Sequence, residues 1–118
     1  MLLQKLLFML VAVHASHAFA QNMLFLNDAP IQAMTPGDRD LFKQSMDRAL
    51  NETHDGASLT WENPSTGARG TITPTASWQE QGQACRTLQF DNRVQGRSGR
   101  SSFNFCKQGD GSWMIVSQ

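Results

Sequence analysis

The fold of this chain is decided by the stretch ACRTLQFDNRVQGRSGRSSFNFCK, which occupies residues 84–107 and contains both cysteines, Cys85 and Cys106. The side chains of a β-strand point alternately to its two faces. At the start of the stretch, Leu88 and Phe90 therefore share one face of a predicted strand, and Cys85 lies on the opposite face. The pattern is typical of a strand that buries one face in a core.

The end of the same stretch predicts a second strand with the same division of faces. Phe103 and Phe105 share one face, and Cys106 points the other way. If the two strands pair antiparallel, the sulfur atoms of Cys85 and Cys106 meet on one face while the aromatic rings build a core on the other. We therefore predict a disulfide, which contributes about 3 kcal/mol for a loop of this size. Residues 91–100, rich in glycine and other turn-forming residues, predict a flexible hairpin loop.

The first twenty residues have the features of a secretory signal. Lys5 precedes an apolar run at residues 6–13, and Ala18-Phe19-Ala20 is a small-x-small cleavage site. Cleavage is expected between Ala20 and Gln21, and the apolar run is too short to span a membrane. Export to an oxidising compartment agrees with the even number of cysteines.

The remaining residues predict an α+β fold in a domain at residues 38–118, preceded by a loosely ordered arm at residues 21–37. Residues 38–51 have the apolar spacing of a helix, for which Thr35 is a candidate cap and Pro36 the first residue. Short alternating segments follow, and their short connections favour antiparallel pairing. The expected architecture is one N-terminal helix packed on a small antiparallel sheet of about five strands with one disulfide.

Charge and residue chemistry exclude several functions. The formal net charge is zero, which does not suit a nucleic-acid-binding protein. Outside the signal, His54 is the only histidine, so no histidine-based metal cluster is expected. The sequence has no Gly-x-Ser-x-Gly motif around a nucleophile. We therefore predict a protein that is not an enzyme and has no metal or cofactor.

Two features remain as possible binding sites. Trp78 lies in a segment that reads as a polar linker, where an exposed ring would stack on a glycan. Arg93, Arg97 and Arg100 lie in the predicted hairpin loop, where they would bind an anionic lipid headgroup or an acidic envelope protein. A loop that is simply solvated is the open alternative for the three arginines.

The chain also resembles a known family over about residues 34–118. The resemblance is carried by an ordered set of short motifs: Arg48-Ala49-Leu50, Trp61-x-Asn63-Pro64, Gly67-x-x-Gly70-x-Ile72-Thr73-Pro74, Cys85-Arg86, Cys106 and Asp110-Gly111-x-Trp113-x-Ile115-Val116. Together they resemble the C-terminal domain of the seventeen-kilodalton bacterial outer-membrane surface antigen family.

This resemblance implies an exported, non-enzymatic protein of the Gram-negative cell envelope, at the cell surface or outer membrane or in the periplasm, with a structural or interaction role. The family typically begins as a lipoprotein with a glycine-rich apolar segment. Here no lipid-accepting cysteine lies near the cleavage site, and Gly37 is the only glycine in residues 21–37. We therefore expect no lipid anchor and no transmembrane span after the signal is removed. The alternative is a small secreted binding or inhibitor module that recognises a glycan or an enzyme.

Overall fold

A computed structural model describes residues 28–118. The predicted signal at residues 1–20, its cleavage site between Ala20 and Gln21, and residues 21–27 of the predicted arm lie outside the described residues.

Within residues 28–118, the chain forms two helices and a sheet of five strands. The elements in chain order are α1 Ala29–Gln32, α2 Pro36–Glu52, β1 Leu59–Asn63, β2 Ala68–Glu80, β3 Gln83–Val94, β4 Arg97–Lys107 and β5 Trp113–Ser117. The strands lie in the order β1-β2-β3-β4-β5, and every neighbouring pair is antiparallel. The predicted α+β class is confirmed, but the main helix α2 is preceded by the short helix α1.

Helix α2 begins where its capping residues dictate. The Thr35 side chain accepts a hydrogen bond from the backbone N–H of Asp38 (3.1 Å), and the Asp38 carboxylate accepts one from the backbone N–H of Thr35 (3.0 Å). This capping box satisfies N–H groups that have no partner within the helix. The predicted cap Thr35 and first helical residue Pro36 are confirmed. The proline ring fixes a helical φ, and its missing N–H costs nothing at that position.

Asp38 also ties the start of α2 to the turn between β1 and β2. Its carboxylate is fully buried and accepts hydrogen bonds from Asn63 Nδ2 (2.8 Å) and Thr66 Oγ1 (2.7 Å). Burial alone raises the pKa of Asp38, but the hydrogen bonds from Thr35, Thr66 and Asn63 lower it further than burial raises it, so the pKa lies below its usual value. The charged form is therefore the one that the fold stabilises.

The core lies between the helices and one face of the sheet. Its largest fully buried side chains include Leu88, Phe90 and Phe103. The ring of Phe90 packs against Phe42 of α2 at a centroid distance of 5.4 Å and against Phe103 at 5.9 Å. The face that the sequence assigned to the core is thus the face that α2 covers.

The predicted disulfide is confirmed. Cys85 and Cys106 are directly opposite each other in the pairing of β3 with β4, and their sulfur atoms are bonded. Strand alternation places this disulfide on the face that the helices do not cover, which we call the open face. The described residues contain no free cysteine.

Residues 91–100 differ from the predicted flexible loop. β3 continues to Val94 and β4 begins at Arg97, so only Gln95 and Gly96 form the turn. Both have positive φ, 54° and 77°, which is the conformation of a two-residue type I′ hairpin. The tight turn places the loop arginines on paired strands.

Strand β2 also continues further than the sequence predicts. A proline suits the end or the edge of a strand, but β2 runs past Pro74 to Glu80 through an irregularity in register between Pro74 and Ala76. A bulge accommodates a proline because the missing N–H is not required there. Trp78 therefore lies in a strand and not in a linker.

The described part of the predicted arm is ordered against the sheet, which differs from the expectation of loose order. Asp28 caps α1 by accepting a hydrogen bond from the N–H of Ile31 (3.1 Å), and it also accepts one from the hydroxyl of Ser101. Ile31 and Met34 are buried in the core. The burial of these apolar side chains offsets the entropy of ordering the segment.

Gly70 is expected to be intolerant of alanine, although its φ is not positive. A methyl group there would overlap Asn92 Oδ1 and approach the carbonyl oxygen of Asp91 to 2.5 Å. We expect Gly70→Ala to destabilise the fold by about 1–3 kcal/mol, as overpacking does, measured by urea unfolding. Gly37→Ala is the matched control, since its nearest new contact is 3.6 Å away and alanine favours a helix. Equal stability of Gly70→Ala and the control would contradict this interpretation.

Candidate functional site

The open face of the sheet carries a groove of 860 Å³ that crosses β1 to β4. Its walls are two rows of side chains that the strand register brings together. One row consists of Thr60, Thr71, Asp91 and Arg100, and the other consists of Glu62, Arg69, Arg93 and Ser98. The floor is the main chain between these rows. Four neighbouring strands span about 14 Å, so the groove is long enough for several chemical groups.

The charged side chains in the walls differ in their pairing. Arg100 Nε donates to Asp91 Oδ1 at 2.9 Å, and this hydrogen bond, together with the negative charge of Asp91, raises the pKa of Arg100. Arg69 and Arg93 lie directly opposite each other on β2 and β3, and both are exposed. Neither forms a salt bridge with any residue in 28–118. Two guanidinium groups are therefore available to bind an anion.

The groove is supported from the core side by a buried polar contact. Trp61 Nε1 donates to Asn92 Oδ1 at 3.0 Å, and both side chains are buried. Gly70 lies between these two residues in the register, and its lack of a side chain leaves room for their contact. Asn92 Nδ2 has no hydrogen-bond partner within the described part of the chain. This cluster holds β1, β2 and β3 at the positions that form the groove floor.

The structure brings only some of the proposed binding residues together. Arg93 and Arg100 both lie in the groove walls. Arg97 is exposed at the end of the hairpin, opposite Val94, and alternation assigns it to the helix-covered side. Trp78 is paired with Cys85, eight residues from Arg93 along β3, which corresponds to about 26 Å. Trp78 therefore does not belong to the groove.

Trp78 is half-buried, and its Nε1 donates to Glu80 Oε1 at 3.0 Å. It also borders a second, smaller cleft of 490 Å³ next to the C-terminal end of α2. Trp113 lines the same cleft and donates to Asn51 Oδ1 at 3.1 Å. Alternation places the Trp78 ring on the open face with Glu80, whereas Trp113 lies on the side of α2, so the two rings do not face each other across the cleft.

Residues 28–118 show no arrangement suited to holding a metal. No three histidine, cysteine, aspartate or glutamate side chains among them lie close enough together to bind an ion. His54 is exposed in the connection between α2 and β1. Neither helix in this part of the chain is long and apolar enough to cross a membrane.

Comparison with known proteins identifies a family whose matched region covers most of the sheet. The model of the family described as 17 kDa outer membrane surface antigen matches residues 48–114, from the second half of α2 to the start of β5. The chain belongs to this family. No solved structure matches it.

Similar proteins include rickettsial 17 kDa surface antigens. The 17 kDa surface antigen of Rickettsia bellii is 34% identical over 84 residues, which are 70% of this chain and 53% of that protein. That of Rickettsia prowazekii is 32% identical over 80 residues, 67% of this chain and 50% of the relative. The chain thus spans about half the length of the curated relatives that it matches.

The motifs that carried the resemblance to the surface antigen family either support the groove floor or join α2 to the sheet. Trp61 and Gly70 support the groove floor, Asn63 binds Asp38 at the start of α2, and Arg86 binds the end of α2. Sequence reasoning missed Arg69 because it occupies an unmarked position in the motif around Gly70. Only the register of β2 against β3 shows that Arg69 lies opposite Arg93.

Proposed function

We propose that this chain is a non-enzymatic interaction protein of the bacterial cell envelope, located in the periplasm or on the outer membrane, which acts by binding through the open face of its sheet. The observation that carries the proposal is the groove with Arg69 and Arg93 in its walls. The two guanidinium groups suit an anionic partner. Membership of a family described as an outer membrane surface antigen supports export to the envelope.

The distribution of charge supports an attachment that depends on salt. Residues 63–118, which include most of the sheet, contain six basic and three acidic residues. An arginine close to an anionic surface contributes about 1 kcal/mol, and salt screens this attraction. In this proposal, contacts of the folded domain that salt can screen hold the protein at the envelope.

Cell fractionation tests the proposal. We expect the protein in the envelope fraction, and we expect a high-salt wash to release it, because exposed charges are screened within about a nanometre at physiological ionic strength. An abundant integral outer-membrane protein in the same preparation, which should stay in the pellet, is the control. A protein that resists high salt and needs detergent would contradict the proposal, as would a protein found in the cytoplasm.

A small secreted module that binds a glycan or inhibits an enzyme is the second candidate. The cleft of 490 Å³ beside the end of α2, which Trp113 lines, favours it, because an indole ring stacks on sugar rings and clefts of this size accept small ligands. Quenching of tryptophan fluorescence by soluble envelope glycans, lost in Trp113→Ala and kept in Trp78→Ala, would support this candidate over the first.

A further inference from the structure

Arg69 and Arg93 form a pair of like charges, and neither forms a salt bridge within residues 28–118. They are directly opposite each other in the antiparallel pairing of β2 with β3, where like charges destabilise a sheet. Arg100 and Arg86, by contrast, each have a carboxylate at 2.9 and 2.8 Å. An unfavourable pairing without a compensating contact is typical of a functional position.

The geometry of the pair suits an anion placed between the two strands. Opposite residues of an antiparallel pair have Cβ atoms about 5 Å apart, so two guanidinium groups can converge on one phosphate from either side. A guanidinium group matches phosphate oxygens with two parallel N–H donors. Glu62 faces Arg69 from β1, and Asp91 is already bound by Arg100. The row of Glu62, Arg69 and Arg93 therefore carries one net positive charge on the open face.

We propose that Arg69 and Arg93 form a clamp for the phosphate of an anionic lipid headgroup, with the sheet lying against the membrane surface through its open face. This proposal rests on the proposed function and specifies the anionic ligand that the open face binds. The groove lies on the exposed face of a sheet and both arginines are solvent-exposed, so they can reach a phosphate at a surface. Charge complementarity with anionic headgroups selects this occupant over a neutral glycan.

Vesicle sedimentation with the purified exported protein tests the clamp. The probes are phosphatidylcholine vesicles with and without phosphatidylglycerol. We expect binding only with phosphatidylglycerol, and we expect Arg69→Gln with Arg93→Gln to weaken it about thirtyfold, which corresponds to the usual contribution of two arginines near an anionic surface. The matched control is Arg39→Gln with Arg48→Gln, which removes two exposed arginines from α2 and should leave binding unchanged.

Thermal unfolding distinguishes a loss of binding from a loss of folding in the double variant. Because the substitutions remove a like-charge repulsion, the Arg69→Gln, Arg93→Gln protein should melt at the same temperature as the unmodified protein or at a higher one in the absence of vesicles. Phosphatidylglycerol vesicles should raise the melting temperature of the unmodified protein and not that of the double variant. A double variant that melts lower without vesicles would overturn the repulsion argument.

Three binding results would also overturn the clamp. These are equal vesicle binding by the double variant and the unmodified protein, an equal loss in the α2 control, and full competition by millimolar inorganic phosphate, which would indicate a free phosphate ligand instead of a lipid. Failure of the clamp with a salt-released envelope protein would leave the proposed function intact. Phosphatidylglycerol binding by a protein that fractionates with the cytoplasm would contradict the proposed function alone.

Discussion

Trp61→Ala should lower the free energy of unfolding by about 3–5 kcal/mol, as truncation of a large buried aromatic side chain does. Trp61 is 5% exposed. Its ring packs edge-on against Phe42 of α2 at a centroid distance of 5.8 Å, and its N–H is the donor to Asn92 Oδ1. The substitution removes the ring, and it also leaves a second polar atom of the buried Asn92 amide without its partner, which adds to the loss.

Urea unfolding of two further variants separates these contributions. Trp61→Phe keeps an aromatic six-membered ring and removes the pyrrole half of the indole with its N–H, so it should lose less than Trp61→Ala. Trp78→Ala is the matched control on the open face, where the ring is half-buried, and it should lose less than either. Equal losses for Trp61→Ala and Trp78→Ala would contradict the assignment of Trp61 to the core.

Arg86→Ala should also lower stability by about 3–5 kcal/mol, the cost of removing one partner from a buried charged network. The side chain of Arg86 is 13% exposed. Its guanidinium group donates to the carbonyl oxygens of Ala49 (2.8 Å), Leu50 (2.9 Å) and Thr53 (2.7 Å). These carbonyls lie at the C-terminal end of α2, where the helix itself supplies no donors.

The remaining donors of Arg86 hold the connection that follows α2. Nη2 donates to Asp55 Oδ1 at 2.8 Å, and Nε donates to Ser77 Oγ at 2.9 Å. The hydrogen bond from Arg86 lowers the pKa of Asp55, with a smaller contribution from Ser77. All five N–H groups of the guanidinium are thus engaged, and the positive charge lies at the negative end of the helix dipole. One side chain therefore joins α2 to β2 and β3.

Chemical denaturation of Arg86→Lys and Arg48→Ala completes the test. Lysine keeps the charge but has one nitrogen with three donors, so it should recover only part of the lost stability. Arg48 is exposed on α2, and Arg48→Ala should change stability by less than about 0.5 kcal/mol. If Arg86→Lys is as stable as the unmodified protein, then charge alone, and not the branched shape of the guanidinium, caps the helix.

Local sequence determined several features because each depends on a short period or a single cap. Alternation placed the two cysteines opposite the aromatic residues, and the structure confirms the disulfide between Cys85 and Cys106. The apolar stripe predicted the main helix, and Thr35 and Pro36 predicted where it begins. These features depend on residues close together in the chain, so no knowledge of the partner strands was needed.

The sequence also carried a turn signal that was not used. Gln81-Gly82 and Gln95-Gly96 are both two-residue turns in which both residues have positive φ. Glycine at the second position is the residue that such hairpin turns prefer. Recognising the repeated Gln-Gly pair would have extended the strands on both sides and placed Arg93 in a strand.

Tertiary structure alone decided which distant residues meet. Arg86 caps a helix 36 residues earlier in the chain, and Arg69 lies opposite Arg93 only because of the pairing of β2 with β3. A change of one residue in register would move either arginine to the other face of the sheet. Register is set by the turns and by the burial of a complete face, which are properties of the assembled sheet. The sequence by itself therefore determined the fold class, the main helix and the disulfide, whereas only the packed sheet decided the full length of the strands, the groove and its pair of arginines.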